Sequence, residues 1–451
     1  MNWPDLLCAR RLGVDSAGQP DPSRSPFQID SDRIIFSSAF RRLQDKTQVF
    51  PLADNDYVRT RLTHSLEVAS VGRSLGARVG DAICKKHFPG GEIHASDIGA
   101  IVSAAALAHD LGNPPFGHSG EDAIRHWFTT SKSAQEARVS FTEAEVRDLE
   151  CFEGNAQGFR IITRLQMPDN PGLRLTYATL AAFTKYPRAS VLPVETTGGS
   201  STKKFGFFQS EAALFEQVAT GTGLLRRNSE ALWWSRHPLA FLVEAADDIC
   251  YRLVDFEDGF RLKHLSYEEV RDSFLGVTGD PKDRERSDRI ADEKDRIAFL
   301  RAKAIGAAIE QAAALFQREE AALLAGEWDS PLLDHIPAGG ELERIYERSK
   351  QTIYATPRGV EIEAAGYEVL GGLLEIFHGA AEEVALHGKA ACARSRKLLQ
   401  LVPAQFLDAT RPPATSACRR LQRIVDFVAG MTDSYAVSLY KKVRGISLPG
   451  Q

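Results

Sequence analysis

Among the 11 histidines of this 451-residue chain, His64, His109 and His118 stand beside helix ends or in Gly/Pro turns, with acidic residues close by. His109 and Asp110 fall just before Gly112, Asn113, Pro114 and Pro115, where a helix must stop. Both side chains can therefore project from a helix end into a cavity. Imidazole beside carboxylate suits a divalent ion of the Mn, Fe, Co or Mg group, and an all-nitrogen/oxygen donor set leaves positions for water or phosphate oxygen. An isolated His-Asp pair at a helix end is more often a cap, so the neighbouring residues carry the weight.

Arg59 and Arg61 precede His64 at the start of one helix. Guanidinium forks and free backbone N–H groups at a helix N-terminus favour the same anion, so this segment is expected to receive phosphate, with Arg61 serving a ligand and not the core. His118 and Glu121 follow the turn at i, i+3 and share a helix face. An imidazole oriented by a carboxylate is the usual arrangement of a general acid or base. His126 is read as structural. No GxxxxGK[ST] loop, no GxGxxG after a strand and no GxSxG elbow occurs, which argues against a P-loop NTPase, a dinucleotide enzyme and a serine hydrolase.

The elements that must position these residues read at helical period from Arg59 onward, with few alternating runs, so an all-α chain is expected. One helix is expected from Thr60–Thr63 through Leu66, Leu75, Val79 and Ile83, ending at Pro89-Gly90-Gly91. A second is expected from Ser96 as N-cap with Asp97 behind it, and another from Pro238 to about Leu262. Residues 290–325, 360–387 and 417–443 also read as helical, whereas 129–147 and 191–206 read as loops or insertions. No long linker and no repeat divides the chain, so one helical domain with a C-terminal helical extension is expected.

Hydrophobic residues make up 43% of the chain, enough for a large core, and a net charge of -5 indicates neither a disordered tail nor a globally basic nucleic-acid binder. The six cysteines form no CxxC pair, which speaks against a disulfide framework or cysteine zinc site and fits a reducing cytoplasm. The first residues lack a signal-peptide core, and no run of about 18 apolar residues could span a bilayer. A soluble, cytoplasmic protein is expected.

Beyond these single features, the blocks FRRLQDKTQVFPL (40–52), RTRLTHSLEV (59–68), AHDLGNPPFGHSGE (108–121), FEGNAQ (152–157), LTYATLAAFTKYP (175–187), EAADDICYRLVDFED (244–258), GVEIEAAGYEVL (359–370) and GMTDSYAVSLYKKVRG (430–445) run in order along the chain. Together they resemble the deoxyguanosinetriphosphate triphosphohydrolase family of the HD phosphohydrolase superfamily. The resemblance implies an all-α HD core at 59–265, preceded by a segment at 1–58 that contributes pocket residues and followed by a continuous helical region at 266–451. By the same resemblance, His64, His109, Asp110 and one aspartate of a later helix hold the metal, and His118 with Glu121 forms the catalytic pair. Gln48, Val49, Tyr251 and Asp255 would face the deoxyribose, while Arg61, Asn155, Lys185 and Tyr186 would hold the triphosphate.

The implied cofactor is a divalent ion, Mn2+ or Mg2+ first, with Co2+, Fe2+ or Ni2+ as alternatives. The implied reaction is cleavage of dGTP, or other dNTPs, between the 5' oxygen and the α-phosphorus to deoxynucleoside and tripolyphosphate. A homo-oligomer, often hexameric, and a nucleotide or single-stranded DNA effector are further implications. A triphosphate carries about four negative charges, so several cations are needed beside the metal, and Arg59, Arg61 and Lys185 are available. A tight Tyr, Asp and Gln cluster would exclude a 2'-hydroxyl. Competing readings are an HD phosphohydrolase acting on all dNTPs or on single-stranded DNA ends, and a silent nucleotide- or DNA-binding regulator.

Asp247 and Asp248 are both competent as the last metal ligand, but adjacent helical residues point about 100° apart. Asp248 falls in the row Glu244, Asp248, Arg252, which reads as a solvated or salt-bridged stripe. Asp247 falls in the row Val243, Asp247, Tyr251, Asp255, so it shares a face with the residues assigned to the sugar and is the expected ligand.

Overall fold

The computed structural model describes residues 1–14, 23–48, 59–166, 172–192, 199–354, 357–407 and 413–447. Among them the architecture is all-α, with extended structure limited to isolated bridges such as Thr47 with Thr60. The helices that matter for the site are α1 (Pro26–Ile35), α2 (Arg61–His87), α3 (Ala95–Ala108), α4 (Gly117–Thr130), α5 (Gly154–Arg160), α6 (Tyr177–Phe183), α7 (Pro238–Arg261), α8 (Glu293–Arg318), α9 (Gly339–Thr352), α10 (Pro357–His387), α11 (Ala417–Ala429) and α12 (Asp433–Val443). None of the described helices is long and apolar enough to cross a membrane.

Helix α3 is apolar on almost every side and lies at the centre, packed by α1, α2, α6 and α7. Its approach to α2 depends on small residues: a Cβ added at Gly76 would sit 2.9 Å from the Cα of Gly99 and the carbonyl oxygen of Ile98. The start of α3 differs from expectation. Ser96 lies inside the first turn, because His94 is the N-cap and Asp97 closes the turn by accepting the His94 N–H at 3.0 Å. Helix α2 begins as expected, on a reciprocal capping pair of Thr60 and Thr63.

The segment 129–147, read as a loop from its polarity, is largely helical, with Lys132–Arg138 capped by Ser131 and Glu143–Glu150 begun by a Thr142–Glu145 capping box. The stretch 290–325 breaks at Glu319 into α8 and a short helix, Glu320–Ala325, and 417–443 breaks between α11 and α12. Of the expected loop at 191–206, residues 193–198 lie outside the described residues, and Ser200–Thr202 form one 3-10 turn. A single buried apolar cluster extends from Trp3 to Leu439 and includes both ends of the chain.

Helix α7 starts with Pro238 at its first position behind His237, as its sequence suggested. The His237 ring is fully buried; Nδ1 accepts the Leu239 N–H at 3.1 Å and Nε2 donates to the Leu6 carbonyl at 3.0 Å. A proton on Nδ1 would remove that cap, and burial pushes the imidazole down to about 4. The unfolded chain then binds the extra proton first, so stability is full above the ordinary histidine range and is lost as pH falls from about 6.5 toward 4. Chemical unfolding at pH 7 and pH 5 should differ by roughly 2 kcal/mol through this group. In His237→Asn, which keeps a capping oxygen, the difference should shrink by that amount, and an unchanged pH slope would contradict it.

Candidate active site

The start of α2, the end of α3 and the middle of α7 converge. His64, the fourth residue of α2, is buried, and its Nε2 lies 3.0 Å from Oδ1 of Asp247. His109 Nε2 lies 3.6 Å from the same oxygen, while its Nδ1 bonds the Ala106 carbonyl at 2.6 Å, which fixes that proton and leaves Nε2 as the free donor atom. One ligand atom from each of His64, His109 and Asp247 lies within 4.8 Å of the others. Two imidazoles and a carboxylate fit a divalent transition ion or Mn2+. Burial by itself would raise the Asp247 carboxyl, but His109, His64 and Lys185 outweigh it and hold the group well below the usual range, as an anionic ligand.

Asp110 adjoins this group. Its Oδ2 is 3.6 Å from His109 Nε2 and 2.8 Å from the Arg61 Nη1 that donates to it, and Oδ1 accepts from the Asn113 amide. The row Glu244, Asp248, Arg252 is salt-bridged, one of the two readings its spacing allowed, but it is not solvated, and Glu244 and Asp248 line the cavity too. Asp248 is buried with Glu244 and Arg252, and burial pushes its carboxyl up to about 7. Glu244 pairs with Lys185 at 3.2 Å and Arg236 at 2.8 Å, and Arg252 with Glu343 at 3.4 Å. Lys185 and Glu343 are remote in sequence, so the i, i+4 spacing alone could not separate a solvated from a salt-bridged row.

After Pro114 and Pro115 the chain turns through Phe116 at φ 64° and Gly117 at φ 60°. Gly117 takes a left-handed conformation that favours glycine, and a Cβ there would lie 2.8 Å from the end of the Arg61 side chain, Nη2, which would have to shift. The turn launches α4 and sets His118 at the exposed rim of the cavity, its side chain 79% exposed. Its Nδ1 bonds Oε2 of the buried Glu121 at 2.9 Å, and the other Glu121 oxygen accepts the Gly154 N–H at 2.7 Å. Burial would raise Glu121, yet the His118 bond, the Lys204 charge and the Gly154 N–H bring it below its ordinary value. An ionised carboxylate thus orients the ring and leaves Nε2 for a ligand. His126 is exposed and has its ring 5.9 Å from that of Tyr367, centroid to centroid.

A cavity of about 660 Å³ opens over the His64, His109 and Asp247 group. Of the residues named from sequence, Gln48, Arg61, Asp110, His118, Asn155, Lys185, Tyr186, Tyr251 and Asp255 line it as well, Glu121 stands behind His118, and Val49 lies outside the described residues. Gln48 Oε1 and Arg61 Nε are buried polar atoms with no partner among the described residues. Arg59 is not in the lining; it turns away to Asp258 and to Glu67 at 3.0 Å. Nor is the start of α2 an open anion nest, because the Arg61 N–H bonds the Lys46 carbonyl at 3.2 Å and Thr60 caps the Thr63 N–H. Arg61 itself is buried against Asp110, so it supports the core as well as the cavity, contrary to the sequence expectation.

Sequence reasoning missed Thr47, Glu153, Lys204, Tyr346, Lys350, Tyr354, Ile362 and Glu363 in the lining. Lys204 bonds Glu153 at 3.1 Å beside Asn155, which in turn donates to Glu153 at 2.7 Å. Tyr354 donates to Asp255 at 3.0 Å, and Tyr346 packs edge-on against Tyr251 with centroids 5.5 Å apart. Burial lifts the Asp255 carboxyl to about 7. Arg61, Lys185 and Lys204 thus line the cavity together with the histidines, each cation paired with a lining carboxylate (Asp110, Glu244 and Glu153), and Tyr251, Tyr346 and Tyr354 form an aromatic side.

The HD domain family model matches residues 61–153, the stretch holding His64, His109, Asp110, His118 and Glu121, and the model for a phosphohydrolase-associated domain matches residues 342–442. The chain is 44% identical to a deoxyguanosinetriphosphate triphosphohydrolase-like protein of Synechocystis, over 99% of this chain and all of that one. It is 43% identical to one of Pseudomonas aeruginosa over the full length of both. A deoxyguanosinetriphosphate triphosphohydrolase of Yersinia pestis is 31% identical over 92% of this chain and 93% of that protein. With a His-His-Asp group in a cavity that Arg61, Lys185 and Lys204 also line, and likeness over its whole length, the chain belongs to the deoxyguanosinetriphosphate triphosphohydrolase family of HD-domain proteins and is a metal-dependent phosphohydrolase.

Proposed function

We propose that the protein hydrolyses dGTP, and other dNTPs more slowly, to deoxynucleoside and inorganic tripolyphosphate. The observation that carries this reading is the order of groups in one cavity. Cations and histidines stand at one side, and α7 runs from Asp247 through Tyr251 to Asp255 at about 6 Å per step toward the aromatic side. A nucleotide laid along that line puts phosphates by Arg61, Lys185 and Lys204 and its sugar by Gln48, Tyr251 and Asp255. Glu363 on α10 adds a carboxylate to the lining that could accept from the N1–H and N2–H2 edge of guanine.

His64, His109 and Asp247, with Asp110 as fourth ligand, would hold Mn2+ or Mg2+, with Co2+, Fe2+ or Ni2+ as substitutes. When bound, the ion supplies a Lewis acid to the phosphoryl oxygens. The chain's own groups do the rest. Arg61, Asn155, Lys185 and Tyr186 fix the triphosphate and offset its charge. Glu121 holds His118 by Nδ1, so that Nε2 can exchange a proton with the attacking water or the departing 5' oxygen. Water adds to the α-phosphorus, and the bond from phosphorus to the 5' oxygen breaks.

The family names of its relatives support this substrate class, and a cytoplasmic homo-oligomer, hexameric by family likeness and responsive to a nucleotide or single-stranded DNA, belongs to the same reading. Incubating the full chain with each dNTP and NTP, singly and in pairs, with Mn2+ or Mg2+, tests it by chromatography. Deoxyguanosine from dGTP is expected. Monophosphates from DNA ends, or turnover of ribonucleotides alone, would overturn it. Arg61→Ala should weaken dGTP binding about tenfold or more, as loss of a charge-assisted contact does. It should also lower the thermal midpoint, since Asp110 is left buried without its cation. Unchanged affinity with lowered stability would make Arg61 purely structural.

A further inference from the structure

The block 430–445 contributes nothing to the cavity lining, yet one of its side chains reaches both walls of the site. Asp433, the first residue of α12, is 2% exposed. Its Oδ1 accepts the Phe116 N–H at 3.0 Å, and its Oδ2 accepts the Thr47 N–H at 2.9 Å and the Thr47 hydroxyl at 2.6 Å. Phe116 is the left-handed, non-glycine residue of the turn, a conformation that a side-chain-bearing residue keeps only when its surroundings hold it. Two residues later comes His118, and Thr47 is the neighbour of Gln48. Three further contacts tie these segments to each other and to α10 and α11. Lys46 donates to the carbonyls of Asn113 and Ala429, and the Phe116 ring sits so close to Gly366 on α10 that a Cβ there would lie 3.1 Å from it.

We propose that Asp433 is a positioning residue: its carboxylate holds the left-handed Phe116 turn that places His118 and ties that turn to the Thr47–Gln48 wall of the cavity. This rests on the part assigned to His118 above. A single buried carboxylate that accepts from two separate backbone segments fixes their spacing, and an amide of the same shape cannot do so, because its NH2 would meet one of the two N–H groups. Asp433 thereby acts on the chemistry without itself lining the cavity, from the region matched as phosphohydrolase-associated.

The test uses the full chain, Mn2+ and the dNTP turned over fastest, with metal content and thermal midpoint recorded for each variant. Asp433→Asn should lower kcat about 10- to 100-fold with normal metal content, the range expected when a reacting group moves by about 1 Å. Glycine adopts the left-handed conformation without penalty, so the loss caused by Asp433→Asn should be at least about threefold smaller in a Phe116→Gly background. An unchanged kcat with a lowered thermal midpoint, or equal losses in both backgrounds, would overturn the proposal. If Asp433→Asn does not accumulate as folded protein, Thr47→Val carries the test, since it removes only the hydroxyl contact. It should lower kcat about 3- to 10-fold, and unchanged kinetics would count against Asp433. His118→Ala run in parallel separates the two levels. If it alone turns over normally, the reading of His118 has failed; if it is slow while Asp433→Asn is normal, only the positioning proposal has.

Discussion

Asp247→Asn should lose its divalent ion and nearly all activity, whereas Asp248→Asn should keep the ion. The two carboxylates are neighbours on α7, but only Asp247 has an oxygen 3.0 Å from His64 Nε2 and 3.6 Å from His109 Nε2. The imidazoles and Lys185 overcome the cost of its burial and keep it anionic, which is what a ligand to a hard or borderline ion must be. A carboxamide oxygen keeps the shape and loses the charge. Changes to supporting shells of metal sites lower affinity about 10- to 100-fold, and a direct ligand should exceed that. Asp248 is buried, which raises its carboxyl to about 7, and it is not one of the three residues whose ligand atoms converge, so its amide leaves that donor set intact. Elemental analysis after gel filtration measures the difference. Metal retained by Asp247→Asn and lost by Asp248→Asn would reverse the assignment and move the sugar pocket with it.

His118→Ala should slow turnover about 10²- to 10⁴-fold while metal content stays normal. The separation is sharp because the His118 side chain is 79% exposed and touches neither His64, His109 nor Asp247 by any hydrogen bond or ion pair among the described residues. Loss of the exposed ring leaves buried Glu121 with the Gly154 N–H as a remaining hydrogen bond, so stability should fall by roughly 1 kcal/mol, far too little to account for the loss of turnover. Single-turnover rates, metal analysis and thermal unfolding on one preparation distinguish a chemical role from a structural one. Near wild-type turnover would take His118 out of the mechanism.

Much of the site was legible because local chemistry constrained it. Pro114 and Pro115 end the helix behind His109 and Asp110, and the i, i+3 spacing of His118 and Glu121 became a 2.9 Å hydrogen bond. The row Val243, Asp247, Tyr251, Asp255 faces the cavity throughout. The failures have a common cause in long-range packing. The row Glu244, Asp248, Arg252 left solvated and salt-bridged readings open because Lys185 and Glu343, which pair with Glu244 and Arg252, are far away in sequence. Lys204, Tyr354 and Glu363 reach the cavity only through the fold, and Arg59 leaves it because Asp258 is there to bind it. By contrast, the helix after Thr142 could have been found from its TEAE capping box, a local signal outweighed by the polarity of the segment.

The central claim, hydrolysis at the α-phosphorus to release intact tripolyphosphate, is tested most directly by turnover of dGTP in H2(18)O with Mn2+, followed by mass spectrometry of both products. The account predicts one labelled oxygen in the tripolyphosphate and none in the deoxyguanosine, because water adds to phosphorus and the 5' oxygen leaves with the nucleoside. Label in the deoxyguanosine hydroxyl, or dGMP with pyrophosphate in place of tripolyphosphate, would contradict it.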